Sequence, residues 1–158
     1  MVNFESKQSY DIGDLLKLMK LLRGEQGCAW DREQTHKSIR SNLLEEANEA
    51  ASAIDDDDTE ELLEELGDIL MQVVFHADIA ESDGNFNFSD IVNATCKKLI
   101  RRHPHVFGNM IAINGEEAIS FWEDIKLIEK DIKKQGRRIS DISLEELEQL
   151  YRESKLGK

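Results

Sequence analysis

The sequence predicts an all-α protein. One proline and nine glycines among 158 residues leave long stretches in which nothing interrupts a helix. Apolar side chains recur at spacings of three and four residues through most of the chain, as they do along the buried face of an α-helix. No segment alternates apolar and polar residues over five positions, which a half-buried β-strand would require. We therefore expect helices that pack antiparallel into a bundle.

Three helices are predicted in the N-terminal half of the chain, over about 11–23, 38–54 and 59–82. Gly24 ends the first helix, and the segment 25–36 that follows has the composition of a loop. Asp58 and Glu61 form a capping pattern at the start of the third helix, and Gly84 ends it. The two long helices are joined by a short acidic turn, so they can run antiparallel.

The helix over 59–82 is apolar on more than one side. Its apolar residues are Leu62, Leu63, Leu66, Ile69, Leu70, Val73, Val74, Ala77 and Ala80. A helix of this kind packs against several neighbours or against a second subunit. We expect it to be central to the bundle, and the bundle to be completed by association into a homodimer or a higher homo-oligomer.

Three further helices are predicted in the C-terminal half, over about 90–102, over about 114–135 and from 143 onwards. Ser89 is the predicted N-cap of the first of these helices, and Pro104 terminates it. Asn114 and Ser143 each stand three residues before a glutamate, which is the pattern of a helix start.

The charge of the chain limits its partners. A net charge of −13 leaves no electropositive surface for nucleic acid as a bulk partner. A nucleotide is compatible with this charge, because a metal ion and a few local cations can hold its phosphates. Nothing requires a disulfide between Cys28 and Cys96, and neither an apolar signal segment nor a membrane-spanning segment is evident. We expect a cytoplasmic protein that acts away from membranes.

Five carboxylates stand out in the helices predicted on either side of the acidic turn: Glu45, Glu46, Glu49, Glu65 and Asp68. Glu46 with Glu49, and Glu65 with Asp68, are three residues apart, so each pair projects from one face of its helix. In an antiparallel arrangement the two pairs face each other, and four oxygen donors would repel strongly without a cation between them. Mg²⁺ takes such ligands and keeps waters for a phosphate substrate. The pattern indicates a metal-dependent phosphate enzyme.

A solvated acidic helix face is the ordinary alternative for these carboxylates, and Glu60 and Glu64 fit it. Asp68 does not fit it, because an unpaired carboxylate is costly inside the most apolar helix of the chain. A di-iron carboxylate bundle would need two Glu-x-x-His pairs. Only Glu33 and His36 have that spacing, and they lie in the predicted loop.

Two cations near the end of the helix over 90–102 are candidates for binding phosphate. Lys98 and Arg102 are four residues apart on one face and would clamp phosphate oxygens. A cationic last turn also stabilises a helix by itself, so the pattern has a second explanation. His103 and His105 flank a proline at the helix end, where histidine more often makes a structural hydrogen bond, and we leave both out of the catalytic set.

Two aromatic residues with polar neighbours are candidates for lining a nucleotide. Trp122 with Lys126, and Trp30 with Asp31, would form a stacking or polar wall around a base or sugar, although core packing is the commoner role of such residues. The sequence contains no glycine-rich phosphate loop, G-x-S-x-G or G-x-G-x-x-G. P-loop, hydrolase-elbow and Rossmann chemistry are therefore excluded.

The carboxylates follow an E-E-x-x-E, spacer, E-x-x-D pattern that runs from Glu45 to Asp68. Four more segments accompany it: GCAWDREQT at 27–35, VVFHA at 73–77, RRHPHVFG at 101–108 and FWEDIK at 121–126. Together they resemble the MazG family of nucleoside triphosphate pyrophosphohydrolases, whereas the carboxylate pattern alone is shared by the wider all-α NTP pyrophosphatase superfamily. The resemblance covers about residues 11–130. Ala29 departs from it, because the family has proline in C-P-W-D.

The resemblance implies a bundle of the all-α NTP pyrophosphatase type. A catalytic core over 1–110 would be followed by C-terminal helices over 111–158, the first of which closes the nucleotide site. The implied reaction is hydrolysis of an NTP or dNTP to the monophosphate and pyrophosphate, broad in base, with Mg²⁺ or with Mn²⁺ as a substitute ion. A selective house-cleaning dNTP pyrophosphatase and a catalytically silent helical module that binds nucleotide or a partner protein stay open as alternatives.

The resemblance also implies a role for each residue of this chain that matches a motif position of the family. The metal ligands would be Glu46, Glu49, Glu65 and Asp68. Glu45 or Glu49 would accept a proton from the attacking water. The substrate-binding residues would be Lys98, Arg102, Trp122, Lys126, Trp30 and Asp31.

Overall fold

Eight α-helices make up the computed structural model, which describes residues 4–156. They are α1 (Ile12–Arg23), α2 (Ala29–Glu33), α3 (Arg40–Asp55), α4 (Thr59–Ser82), α5 (Phe88–Arg102), α6 (Pro104–Phe107), α7 (Gly115–Lys134) and α8 (Leu144–Leu156), with a 3₁₀ turn at Ile139–Asp141. Residues 4–156 contain no β-strand, which confirms the all-α prediction. Within the same residues, none of the helices combines the length and the apolar character that crossing a bilayer requires.

The chain divides into two compact units, the first ending at Ile91 and the second beginning at Val92. In the first unit, α3 and α4 form a helical hairpin, and α1 packs against α4. The core of this unit consists of Met19, Ile39, Val74, Phe75 and Ile79. The long helix α4 is therefore central to its unit, as its apolar pattern predicts.

The hairpin turn is set by Asp57 and Asp58. Asp57 takes a left-handed backbone conformation with φ of 55°, and the N–H of Asp58 donates to the carbonyl of Ala53 at 2.9 Å. The carboxylate of Asp58 accepts from the backbone N–H groups of Glu60 and Glu61, at 3.1 and 3.0 Å. These bonds satisfy donors that would otherwise lack partners in the first turn of α4. The predicted cap at Asp58 is confirmed, and the short turn makes α3 and α4 antiparallel.

Two local predictions are wrong. The segment 25–36 is not all loop, because Ala29–Glu33 forms the short helix α2. Ser89 is not the N-cap of α5. Asn87 accepts from the N–H of Asp90 at 3.1 Å, and the carboxylate of Asp90 accepts from the N–H of Asn87 at 3.0 Å. This reciprocal pair satisfies two backbone donors where a serine cap would satisfy one, so the helix starts earlier.

The second unit is organised around α7 and α8. Its core contains Ile125, Ile132, Ile142 and Leu147. Asn114 accepts from the N–H of Glu117 at 2.9 Å, and Ser143 accepts from the N–H of Glu146 at 3.1 Å. Both predicted helix starts are therefore confirmed, and α5 ends at Arg102, two residues before Pro104, as predicted.

Candidate active site

Three carboxylates meet across the hairpin of the first unit. Glu46 and Glu49 come from α3 and Glu65 from α4, and one oxygen of each lies within 4.8 Å of the other two. Three carboxylate oxygens this close together would be able to hold a hard cation such as Mg²⁺, which takes oxygen ligands at about 2.1 Å.

The electrostatics of this triplet favour a cation. Glu65 is only 6% exposed, and its Oε2 has no hydrogen-bond partner among the described residues. Its pKa is raised by burial, and then by the negative charges of Glu49, Glu61, Glu46 and Asp68. The pKa of Glu46 is likewise raised by burial and then by the charges of Asp68, Glu49 and Glu45. A divalent cation would offset this mutual repulsion and provide the missing partner for Oε2.

Asp68 and Glu45 lie outside the triplet. Asp68 is half-buried on α4, and its charge acts on both Glu46 and Glu65. Glu45 is exposed on α3. The structure thus brings three of the four predicted metal ligands together and leaves the fourth close enough to repel them.

Replacing Glu65 with Gln is expected to raise the melting temperature of the metal-free protein at neutral pH. The folded-state pKa of Glu65 is raised above its ordinary value of 4.5. Its stabilising contribution is therefore complete below that ordinary value and is lost as the pH rises through the folded-state pKa. The glutamine stays neutral at all pH values and escapes this loss.

Thermal melting in EDTA and in Mg²⁺ measures this effect. Mg²⁺ should raise the melting temperature of the wild type and should do so much less in Glu65→Gln. Glu64→Gln is the matched control, because Glu64 is an exposed neighbour on the same helix. A wild type that melts at the same temperature with and without Mg²⁺ would contradict the expected result.

The chain passes very close to α1 at Gly27, just before Trp30 and Asp31, the first residues predicted to bind substrate. A β-carbon on Gly27 would lie 2.1 Å from the carbonyl oxygen of Leu22, so only glycine fits there. The chain then enters α2, where Trp30 is 57% exposed and Asp31 is half-buried. Arg23 donates from Nη1 to the carbonyl of Asp31. Trp30 is therefore a surface residue and not part of the core, which leaves its ring available to a ligand.

The residues of the second unit that are predicted to bind phosphate and nucleotide differ in their surroundings. Lys98 is half-buried and forms no ion pair within residues 4–156. Arg102 donates from Nε and Nη2 to Oε2 of Glu129, at 3.1 and 2.7 Å. Its guanidinium carbon lies 4.9 Å from the ring centroid of Trp122. Lys126 contacts Glu123 at 3.4 Å in an exposed pair. Arg102 and Trp122 thus form one packed group.

Two histidines that the sequence did not bring together form a close pair. The Nδ1 atoms of His36 and His76 are 2.8 Å apart, and their rings stack with centroids 5.1 Å apart. Burial lowers the pKa of His76, and the charge of His36 lowers it further. His76 belongs to the VVFHA segment, and this segment is the feature of the sequence that could have identified His76 as a functional residue. By contrast, His103 makes a structural hydrogen bond as expected, since its Nδ1 donates to the carbonyl of Leu99 at 2.6 Å.

The histidine pair is expected to make the protein less stable in mild acid. The folded-state pKa of His76 is depressed below its ordinary value of 6.5. The unfolded chain therefore binds more protons, so stability is complete above that value and is lost as the pH falls through the folded-state pKa. His76→Asn should flatten this dependence in urea unfolding between about pH 7.5 and 5.5. An equally steep loss of stability in the variant would show that other groups cause it.

Residues 34–107 match the model of the MazG nucleotide pyrophosphohydrolase domain. A nucleoside triphosphate pyrophosphohydrolase/pyrophosphatase MazG of Thermotoga maritima is 46% identical over 130 residues, which are 82% of this chain and 49% of that protein. The nucleoside triphosphate pyrophosphohydrolase of Escherichia coli K12 is 46% identical over 132 residues, 83% of this chain and 50% of that protein. This chain thus spans about half the length of these curated relatives.

A solved structure resembles this fold. The crystal structure of a mazG-related protein from Thermotoga maritima superposes with a TM-score of 0.61 at 26% sequence identity. The match covers 73% of this chain and 99% of that one.

Proposed function

Since this chain belongs to the MazG family of nucleotide pyrophosphohydrolases, we propose that it hydrolyses nucleoside triphosphates to nucleoside monophosphates and pyrophosphate. The observation that carries the proposal is the carboxylate triplet of Glu46, Glu49 and Glu65. Three charged carboxylates with an unpartnered buried oxygen destabilise the folded protein unless a cation binds them. A divalent metal ion would neutralise their charge and would also bind the phosphates of a nucleotide. We propose Asp68 as the fourth ligand.

The donor set fits Mg²⁺, with Mn²⁺ as a substitute, because all of its members are carboxylates. When bound, Mg²⁺ neutralises charge on the phosphates and lowers the pKa of a coordinated water. Glu45 or Glu49 accepts a proton from the attacking water, since both are exposed on α3, where Glu49 is a member of the triplet and Glu45 precedes Glu46 in the chain. The bond between the α- and β-phosphates then breaks. Pyrophosphate departs, and the oxygen of water becomes part of the nucleoside monophosphate.

The remaining residues bind the substrate. Lys98 and Arg102 stabilise the negative charge that shifts onto the departing pyrophosphate. We assign both to this role on the sequence pattern. Trp122 and Lys126 close the nucleotide site from the first of the C-terminal helices, which follow a catalytic core over residues 1–110. Trp30 and Asp31 line the base or sugar, and the exposure of Trp30 leaves its ring free to stack.

We propose a homodimer or a higher homo-oligomer as the active assembly. Several large apolar side chains of α3 and α4 are exposed, among them Leu63 at 76%, Ile54 at 58% and Leu66 at 53%. Exposed apolar surface of this extent is typical of an interface. Light scattering at micromolar concentration should give at least twice the mass of one chain, and a monomer would contradict the proposal.

Pyrophosphate release from the eight common NTPs and dNTPs, with Mg²⁺, with Mn²⁺ and with EDTA, tests the reaction. We expect metal-dependent release of pyrophosphate from several of these nucleotides, because the proposed enzyme accepts more than one base. Release from a single dNTP would instead indicate a selective house-cleaning enzyme. No release from any of the eight, in a folded protein that binds Mg²⁺, would contradict the proposed activity and favour a silent binding module.

A further inference from the structure

Glu129 is a buried carboxylate on α7 that has no part in the proposed function. Only 6% of the residue is exposed, and both of its oxygens accept from arginines. Oε1 accepts from Nε of Arg101 at 3.0 Å, and Oε2 accepts from Arg102. Two guanidinium groups therefore share one carboxylate, and the cluster keeps a net charge of +1.

The guanidinium of Arg102 is held on two sides. Its Nε and Nη2 edge faces Glu129, while its guanidinium carbon lies over the ring of Trp122. Trp122 and Glu129 are seven residues apart on α7, so both project from the same side of that helix. The side chain of Arg102 is 16% exposed, and its Nη1 makes no hydrogen bond within residues 4–156. One edge is thus fixed by the protein, and Nη1 is left available to a ligand.

We propose that Glu129 is a positioning residue that presents Arg102 to the phosphates of the substrate. The inference rests on the proposed function, in which Arg102 binds the triphosphate. Arg101 contributes by holding the other oxygen of Glu129, which fixes the plane of the carboxylate. An arginine that is already oriented loses less side-chain entropy when it binds phosphate than a freely rotating one.

The sign of the effect separates positioning from simple electrostatics. Glu129→Gln removes a negative charge about 3 Å from the nitrogens of Arg102. If charge alone mattered, the variant would bind phosphate more tightly, because the cluster becomes more positive. If orientation matters, the variant binds phosphate more weakly, because Arg102 can then adopt other rotamers.

Titration calorimetry of the full chain with Mg²⁺ and inorganic pyrophosphate measures this effect without requiring turnover. We expect the Kd of Glu129→Gln to be about tenfold higher than that of the wild type, as for the loss of one well-oriented charged hydrogen bond. Asp131→Asn is the matched control. It removes the same charge from α7 at an exposed position that pairs with Lys134, and its Kd should equal that of the wild type.

Circular dichroism establishes that each variant is folded. If Glu129→Gln does not fold, Glu129→Asp is measured instead. This variant keeps the negative charge but moves the carboxylate away from Arg101 and Arg102 by one methylene group. Weaker pyrophosphate binding in Glu129→Asp supports positioning, and wild-type binding overturns it.

Parallel turnover assays separate this inference from the proposed function. A wild type that hydrolyses triphosphates, with a Glu129→Gln variant that binds pyrophosphate equally or more tightly, overturns the role of Glu129 and leaves the function standing. A wild type that neither hydrolyses triphosphates nor binds pyrophosphate overturns both.

Discussion

Replacing Glu49 with Gln is expected to lower the turnover of nucleoside triphosphates by at least about a hundredfold. Glu49 is a member of the triplet with Glu46 and Glu65, so the variant replaces one of the three carboxylates that we propose as metal ligands with a neutral amide. It is also a candidate acceptor for the proton of the attacking water, and glutamine cannot accept that proton. The measurement is steady-state release of pyrophosphate at saturating Mg²⁺.

Glu64→Gln is the matched control for this experiment. Glu64 is exposed on α4 and lies outside the triplet, so its variant should turn over at the wild-type rate. The Glu49 variant should remain folded, because removing one carboxylate from a repelling group does not cost packing. Normal turnover by folded Glu49→Gln would remove Glu49 from the site.

Replacing Lys98 with Gln is expected to lower kcat/KM by about a hundredfold, the usual effect of removing one group that stabilises developing negative charge. Lys98 forms no ion pair within residues 4–156, so its ammonium group is free for a phosphate. Because no ion pair is lost and glutamine keeps part of the aliphatic side chain, the melting temperature should change little. The measurement compares kcat/KM and the melting temperature of wild type and variant.

Lys97→Gln controls for the loss of one positive charge in the same turn of α5. Lys97 borders a different surface, a cleft of about 230 Å³ that Arg101 and Ile139 also line. Its variant should keep the wild-type kcat/KM. Equal losses in the two variants would mean that the overall charge of the helix matters, and Lys98 would then have no specific role.

Local features of the chain were predictable because they depend on neighbours in the sequence. The caps at Asp58, Asn114 and Ser143 involve bonds between residues two or three apart, and all three are confirmed. The two errors arise where several local patterns compete. Asn87 and Asp90 form a better cap than Ser89, and the segment Ala29–Glu33 is too short to show a helical period.

The candidate metal site was predictable in composition but not in detail. The spacing of Glu46 with Glu49 follows from the helical period, so both point to one face of α3. The spacing cannot say which rotamers the side chains adopt on the facing helix. The structure places an oxygen of Glu65 in the triplet and keeps Asp68 outside it.

The amino-acid sequence by itself determined that the chain is helical, where most of its helices begin and end, and which acidic and basic residues resemble those of the MazG family. These properties follow from spacing along the chain. Only the tertiary structure decided that His36 meets His76 across 40 residues, and that Glu129 joins Arg101 and Arg102 across 28 and 27. Such contacts depend on how helices pack and on side-chain rotamers, which no local pattern specifies.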